Sequence, residues 1–146
     1  MLGIFRSAAR RQGKGEGGQT LVEFALVLPI FLLVLFAIVD FGMAFHAWLT
    51  VTNSAREGAR LGSVHATSAE IEQRVRTTAD TLEQANLAVT VTNAEDQGGQ
   101  PGESVVVDVS YSYSLMTPLA DLLNLVSGGV IADTLTLDSA ADMRLE

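Results

Sequence analysis

Apolar and polar positions fall into two unlike patterns along this chain. From Phe24 to Val39 every side chain is apolar, with Glu23 before the run and Asp40 after it. A hydrocarbon core about 30 Å thick takes roughly 20 helical residues. Leu21 to Phe45 supplies them if Glu23 and Asp40 lie near the two interfaces. Beyond Asp40 the spacing stays helical: Phe41, Phe45, Trp48, Thr52, Ala55, Ala59 and Gly62 recur at steps of four and three, bulky first and small later. Gly58 and Gly62 form a small pair four apart that permits close helix approach. The pattern predicts one helix from about Thr20 to Gly62, half in the bilayer and half projecting. A partner helix is expected on the stripe Asp40, Trp48, Ala55, Gly58, Ala59 and Gly62. Pro29 removes a backbone donor and crowds the carbonyl of Ala25, which predicts a kink. A simple packing kink and a role in assembly are equally open for it.

The rest of the chain reads as a small folded domain. Thr67-Ser-Ala-Glu70 is a capping box, opening a helix with Ile71, Val75, Ala79, Leu82 and Ala85 on one face and ending near Asn86. Leu87, Val89 and Val91 alternate with polar or small residues, a strand pattern. Ala94–Glu103, with its glycines and Pro101, is a loop. Val105, Val107, Val109, Tyr111 and Tyr113 give the clearest strand in the chain. Thr117-Pro118 ends it and starts a short helix, Leu119–Val126, closed by Gly128-Gly129. A last strand runs from Leu135 to Leu145. The fold class expected is α+β: a long N-terminal transmembrane and stalk helix, then a domain with a helix and a three-stranded antiparallel sheet. The domains expected are residues 1–18, 19–62 and 63–146.

Charge sharpens the picture. Residues 1–18 carry four basic groups against Glu16, a net of +3, whereas residues 47–146 carry a net of −9. Lys and Arg concentrated before the apolar run predict a cytoplasmic N-terminus and an extracytoplasmic C-terminal domain. An acidic exterior argues against nucleic acid, whose phosphates would repel it. The chain has no cysteine, so no disulfide or thiolate site is available. No nucleophile–base set and no phosphate-binding glycine loop stands out, so no enzyme, cofactor or small-molecule substrate is expected. Asp133, Asp138 and Asp142 at strand spacing read as a wet face rather than a metal site. His46 reads as interfacial and His65 as surface. Arg56 and Arg60 share a helix face, with Glu57 in reach of Arg60. A solvated ion-paired face and a charged docking site for a partner are both open for these three.

Three accounts fit residues 18–45. One is an ordinary secretory signal cut near Gly42-Met-Ala44, and another is a plain anchor; both leave Glu23 unexplained, although a carboxylate inside a membrane costs up to about 3 kcal/mol. In the third, Gly18, Glu23 and Phe24 before an apolar helix resemble the class III signal of type IV-like prepilins. That resemblance implies a processing site of Gly18, Gln19, Glu23 and Phe24, at which a prepilin peptidase cuts after Gly18 and frees Gln19. The new α-amino cation needs a carboxylate partner in a low-dielectric helix bundle, and Glu23 supplies one. Gln19-Thr-Leu-Val-Glu-Phe-Ala-Leu-Val-Leu-Pro-Ile, then Asp40-Phe-Gly, then Asn53-Ser-Ala-Arg-Glu-Gly-Ala-Arg60, resembles the TadE-like family, the minor pseudopilins of the tight-adherence (Flp) pilus. The acidic position before Phe-Gly, often Glu in that family, is Asp40 here. The resemblance implies a pilin-like domain on a single-pass helix in the cytoplasmic membrane. The implied partners are the lipid bilayer, a prepilin peptidase, other pilins and pseudopilins, and platform proteins. The alternative is an uncut single-pass anchor carrying an adhesion or envelope-binding module.

Overall fold

The computed structural model describes residues 16–129 and 134–146. Arg6, Arg10, Arg11 and Lys14 of the expected leader lie outside the described residues, as does Asp133. Helix α1 covers Glu16–Gly62 and is continuous across Pro29. Two compact units meet within it, the first ending at Leu35 and the second beginning at Phe36. Buried positions on α1 begin at Asp40.

In the first unit the described side chains from Gly18 to Leu35 are exposed or half-buried. Leu21, Leu26 and Ile30 are each about two-thirds exposed. A helix satisfies its own backbone groups, so this surface is stable where the surroundings are hydrocarbon.

The second unit, Phe36–Glu146, builds a core from both pattern types. After α1 come α2 (Ser68–Thr78), β1 (Leu87–Thr92), β2 (Ser104–Ser114), α3 (Leu119–Ser127) and β3 (Thr134–Arg144). Single 3₁₀ turns lie at Gln84–Asn86 and Glu95–Gln97. The three strands form an antiparallel sheet in the order β1-β2-β3, with Val109 opposite Val89 on one side and Ser139 on the other. Side chains of a strand alternate between faces, so Val105, Val107, Val109, Tyr111 and Tyr113 all point one way, and all five are buried. They share one core with Ile71, Val75 and Ala79 of α2 and with a stripe of small residues on α1.

That stripe differs from the expected one. The buried positions are Asp40, Ala44, Ala47, Val51, Ser54, Ala55, Gly58, Ala59 and Gly62, whereas Phe41, Phe45 and Trp48 stand exposed on the adjoining face. Size explains the choice, since small side chains bring the helix axis close to its neighbours. A Cβ added to Gly58 would lie 2.6 Å from Val75 Cγ2, and one on Gly62 would lie 2.9 Å from both Val105 methyls.

Helix α2 opens with the expected capping box: the Glu70 N–H donates to Thr67 Oγ1, and the Glu70 carboxylate accepts from the Thr67 N–H. It stops at Thr78, earlier than the apolar spacing suggests, and leaves Ala85 exposed. Local competition accounts for this. The Thr77 and Thr78 hydroxyls donate to the carbonyls of Gln73 and Arg74, and the Gln84 amide donates to the carbonyls of Ala79 and Leu82. Helix α3 ends on Gly128 at φ 78°, a left-handed cap that glycine adopts without Cβ strain. The end of the chain returns to the end of α1: the Glu146 N–H donates to the Ser63 carbonyl, and His65 Nε2 lies 2.8 Å from the Glu146 carbonyl oxygen.

Candidate membrane and assembly segment

The residues singled out for chemistry all lie on α1, and α1 treats them in three ways. At its start, Gly18 is exposed, with open space where a Cβ would stand. One turn later the Gln19 side-chain amide donates to Glu23 Oε1 at 3.0 Å. Residues four apart on a helix are neighbours, so the carboxylate sits over the turn that carries Gln19. Phe24, on the next position, is 61% exposed. Pro29 lies inside the helix among exposed apolar side chains.

At the end of the apolar run, Asp40 is 2% exposed, which its place at a membrane edge does not require. Its Oδ1 accepts from the backbone N–H groups of Met116 and Thr117 at 3.0 and 3.2 Å, and its Oδ2 accepts from the Thr117 hydroxyl. One carboxylate thus satisfies three donors at the turn between β2 and α3 and fixes that turn to α1. A buried carboxylate is tolerated when hydrogen bonds replace its water. Nearby, the Tyr113 hydroxyl is buried with no partner among the described residues. Burial, and then the Asp40 charge, raise its pKa above the ordinary phenol value.

The third group lies past Trp48, whose ring is tilted against Phe45 with centroids 5.8 Å apart and which is 41% exposed. Ala55, Gly58, Ala59 and Gly62, proposed from spacing as a surface for a partner helix, are covered by α2 and β2 of this same chain. No second helix fits on that face while the domain is folded. Glu57 accepts from Arg60 Nε and Nη2 at 3.1 and 2.9 Å and from Arg74 Nη2 at 2.7 Å, tying α1 to α2. The Arg60 guanidinium first, and the Arg74 guanidinium next, lower the Glu57 pKa from 4.5 to about 2. Arg56 is exposed and has no side-chain partner among the described residues. Of the three charges it alone is left for docking.

Asp138 and Asp142 are exposed on the outer face of β3, opposite Ser110 and Val106. Among the described residues no three His, Asp or Glu side chains converge as metal ligands. The structural role of Asp40 was missed from the sequence. Its signal was there: Asp40 begins the series Asp40, Ala44, Ala47, Val51, at the same steps of four and three as the aromatic row.

One exposed apolar helix, its start marked by Gly18 and Glu23 and its far half lined with small residues, is what comparison with known proteins recognises. Residues 18–60 match the family described as TadE-like protein. The segment is TadE-like. No curated protein and no solved structure matches the chain. The TadE-like segment ends at Arg60, so it takes in the apolar run, Asp40 and the small stripe as far as Ala59 but stops short of the sheet. Helix α1 is long and apolar enough to cross a membrane, with a mean hydropathy of 2.9 over its best stretch. A TadE-like segment on such a helix fits a single-pass membrane anchor of the kind associated with Tad pili.

Proposed function

We propose that the chain is a membrane-anchored minor pseudopilin, cut after Gly18 by a prepilin peptidase and used to assemble or initiate a Flp-type (Tad) pilus. The observation that carries this reading is the Gln19–Glu23 pair at the head of the TadE-like helix. Cutting after Gly18 makes Gln19 the first residue, and its α-amino cation then lies in the turn over which the Glu23 carboxylate is poised. Gly17 and Gly18 each weaken a helix by roughly 1 kcal/mol relative to alanine. The first turn of α1 therefore opens readily into the extended form that a peptidase needs. The basic leader stays in the cytoplasm and the acidic domain lies outside, as the Lys/Arg asymmetry requires. Within the assembly, the exposed Arg56 is the charge on α1 that remains for other pilins or platform proteins.

Mass spectrometry of the protein from its native membrane tests the reading directly. A mature N-terminus at Gln19 is expected, and Gly18→Ala should leave much of the leader attached. An intact Met1 would favour the uncut anchor with an adhesion module; a start near Phe45 would favour ordinary secretion. Glu23→Gln separates cutting from assembly. It should be cut normally yet fail to co-purify with other pilins, since an unpaired buried cation costs about 3–5 kcal/mol.

A further inference from the structure

The turn that Asp40 holds marks a level on the molecule. Its bonds to the Met116 and Thr117 N–H groups put residues 116 and 117 beside residue 40 of α1, where the apolar run ends. Around that level the surface is apolar and open. Phe41 is 74% exposed and Met116 69%; Leu125, on the helix that begins two residues after Thr117, is 83% exposed. Leu135, paired with Tyr113 across β2 and β3, is 47% exposed. On α1 the described surface shows no ionised side chain between Glu23 and Arg56, because the one charge in that stretch is the buried Asp40. The described basic residues, Arg56, Arg60, Arg74, Arg76 and Arg144, all lie on the later turns of α1, on α2 and at the far end of β3. Single exposed apolar residues need no explanation, but a set gathered at one end of a domain does.

Resting on the reading of α1 as a membrane span, we propose that this end of the domain is a lipid-contacting foot. Met116 and Leu125 enter the boundary between headgroups and acyl chains beside Phe41, Phe45 and Trp48. The occupant is the bilayer rather than a second protein because Met116 is held beside the end of the apolar run, where Ile38, Val39 and Phe41 are themselves exposed. Roughly 20 residues counted from Leu21 reach the far hydrocarbon edge at Asp40, and side chains at that level meet lipid first. Burial of Asp40 fits the same account: three donors from residues 116 and 117 replace the water that a carboxylate would lose there. Asp121, exposed one turn before Leu125, stays hydrated at headgroup depth. With no Lys or Arg among the described residues at this end, the contact is apolar, indifferent to anionic lipid and to salt.

The full chain, reconstituted in phosphatidylcholine vesicles, tests this. It has no cysteine, so Ile30→Cys, Gln97→Cys, Met116→Cys and Leu125→Cys each carry a single environment-sensitive dye at an exposed position. Lipids brominated along the acyl chain serve as quenchers. Dyes at 116 and 125 should be quenched, at a depth of about 5–10 Å into the boundary, and the dye at 97 should not. Anionic lipid or high salt should leave that quenching unchanged. Quenching at 30 with 116 and 125 behaving like 97 would overturn the foot and keep the span. No quenching at 30 would remove the span itself, and the foot with it. Blue-shifted dyes at 116 and 125 that ignore lipid quenchers would mean a protein neighbour covers them, which also overturns the proposal.

Discussion

Before Leu35, helix α1 shows large apolar side chains all round; from Asp40 to Gly62 it hides a row of small ones and turns its aromatic rings outward. Composition alone does not separate these halves, since both are rich in apolar residues. Side-chain size does. Leu26 and Ile30 add area where lipid can close around any shape, whereas Ala47, Ala55 and Gly58 sit where a formed sheet and helix leave little room. The first half is matched to a fluid and the second to a solid, and protein interiors are packed like solids.

The sharpest way to break that contrast is to put the same residue in both settings. Gly58→Leu should cost about 3 kcal/mol or more through overpacking against Val75 and Val107. Gly42→Leu, with nothing within 4 Å of its Cβ position, should leave stability unchanged or slightly raised. Urea midpoints in a mild detergent, followed by far-UV circular dichroism, would compare them. Equal losses at the two sites would dissolve the distinction.

Next in size is the pair of carboxylates that bracket the apolar run. Asp40→Ala strands two N–H groups and a hydroxyl, and should cost the outer domain about 3 kcal/mol. Asp40→Asn keeps one acceptor and should fall between. Glu23→Ala removes only a contact with Gln19, and the same melt should not move.

Smaller still is the link between α1 and α2. Because Arg60 and Arg74 lower the Glu57 pKa, the ionised form favours the folded state. Its contribution is whole above pH 4.5 and is lost as pH falls through about 2. Glu70, held down by the Thr67 N–H and hydroxyl, and Asp96, held down by the Ser68 hydroxyl and N–H, act in the same direction. Stability should therefore decline on acidification in that window, and Glu57→Gln should flatten part of the slope. Least of all, Phe41→Ala and Phe45→Ala should change stability in detergent by no more than about 0.5 kcal/mol, as surface substitutions do. A larger loss would mean the aromatic row is packed against protein after all.

The strands were readable because each turns one face toward the core, fully buried along β2 and mostly half-buried along β1 and β3. Leu87–Thr92 is found as the alternation sets it out, and the expected Val105–Tyr113 gains one residue at either end. Helix α3 likewise ends one residue later than expected. The end of α2 was not readable, since Gln84 caps it through an amide whose rotamer no periodicity encodes. The inward face of α1 was not readable either, because bulky apolar residues, normally the sign of a core, here line the side left open. Asp40 looked like a boundary charge because its partners lie 76 and 77 residues further on. The order of motifs from Gly18 through Arg60 was legible as TadE-like, and the family match covers that same stretch.

The small-residue wall on α1 also imposes an order of events. Synthesis runs from the N-terminus, so this wall exists before any strand of the sheet has been made. The inward row from Val105 to Tyr113 then has no cover until it meets that wall and the apolar face of α2, both made before it. The anchor's continuation thus serves as a template as well as a tether: without it the sheet would keep part of its greasiest face open, with only α2 to cover the rest.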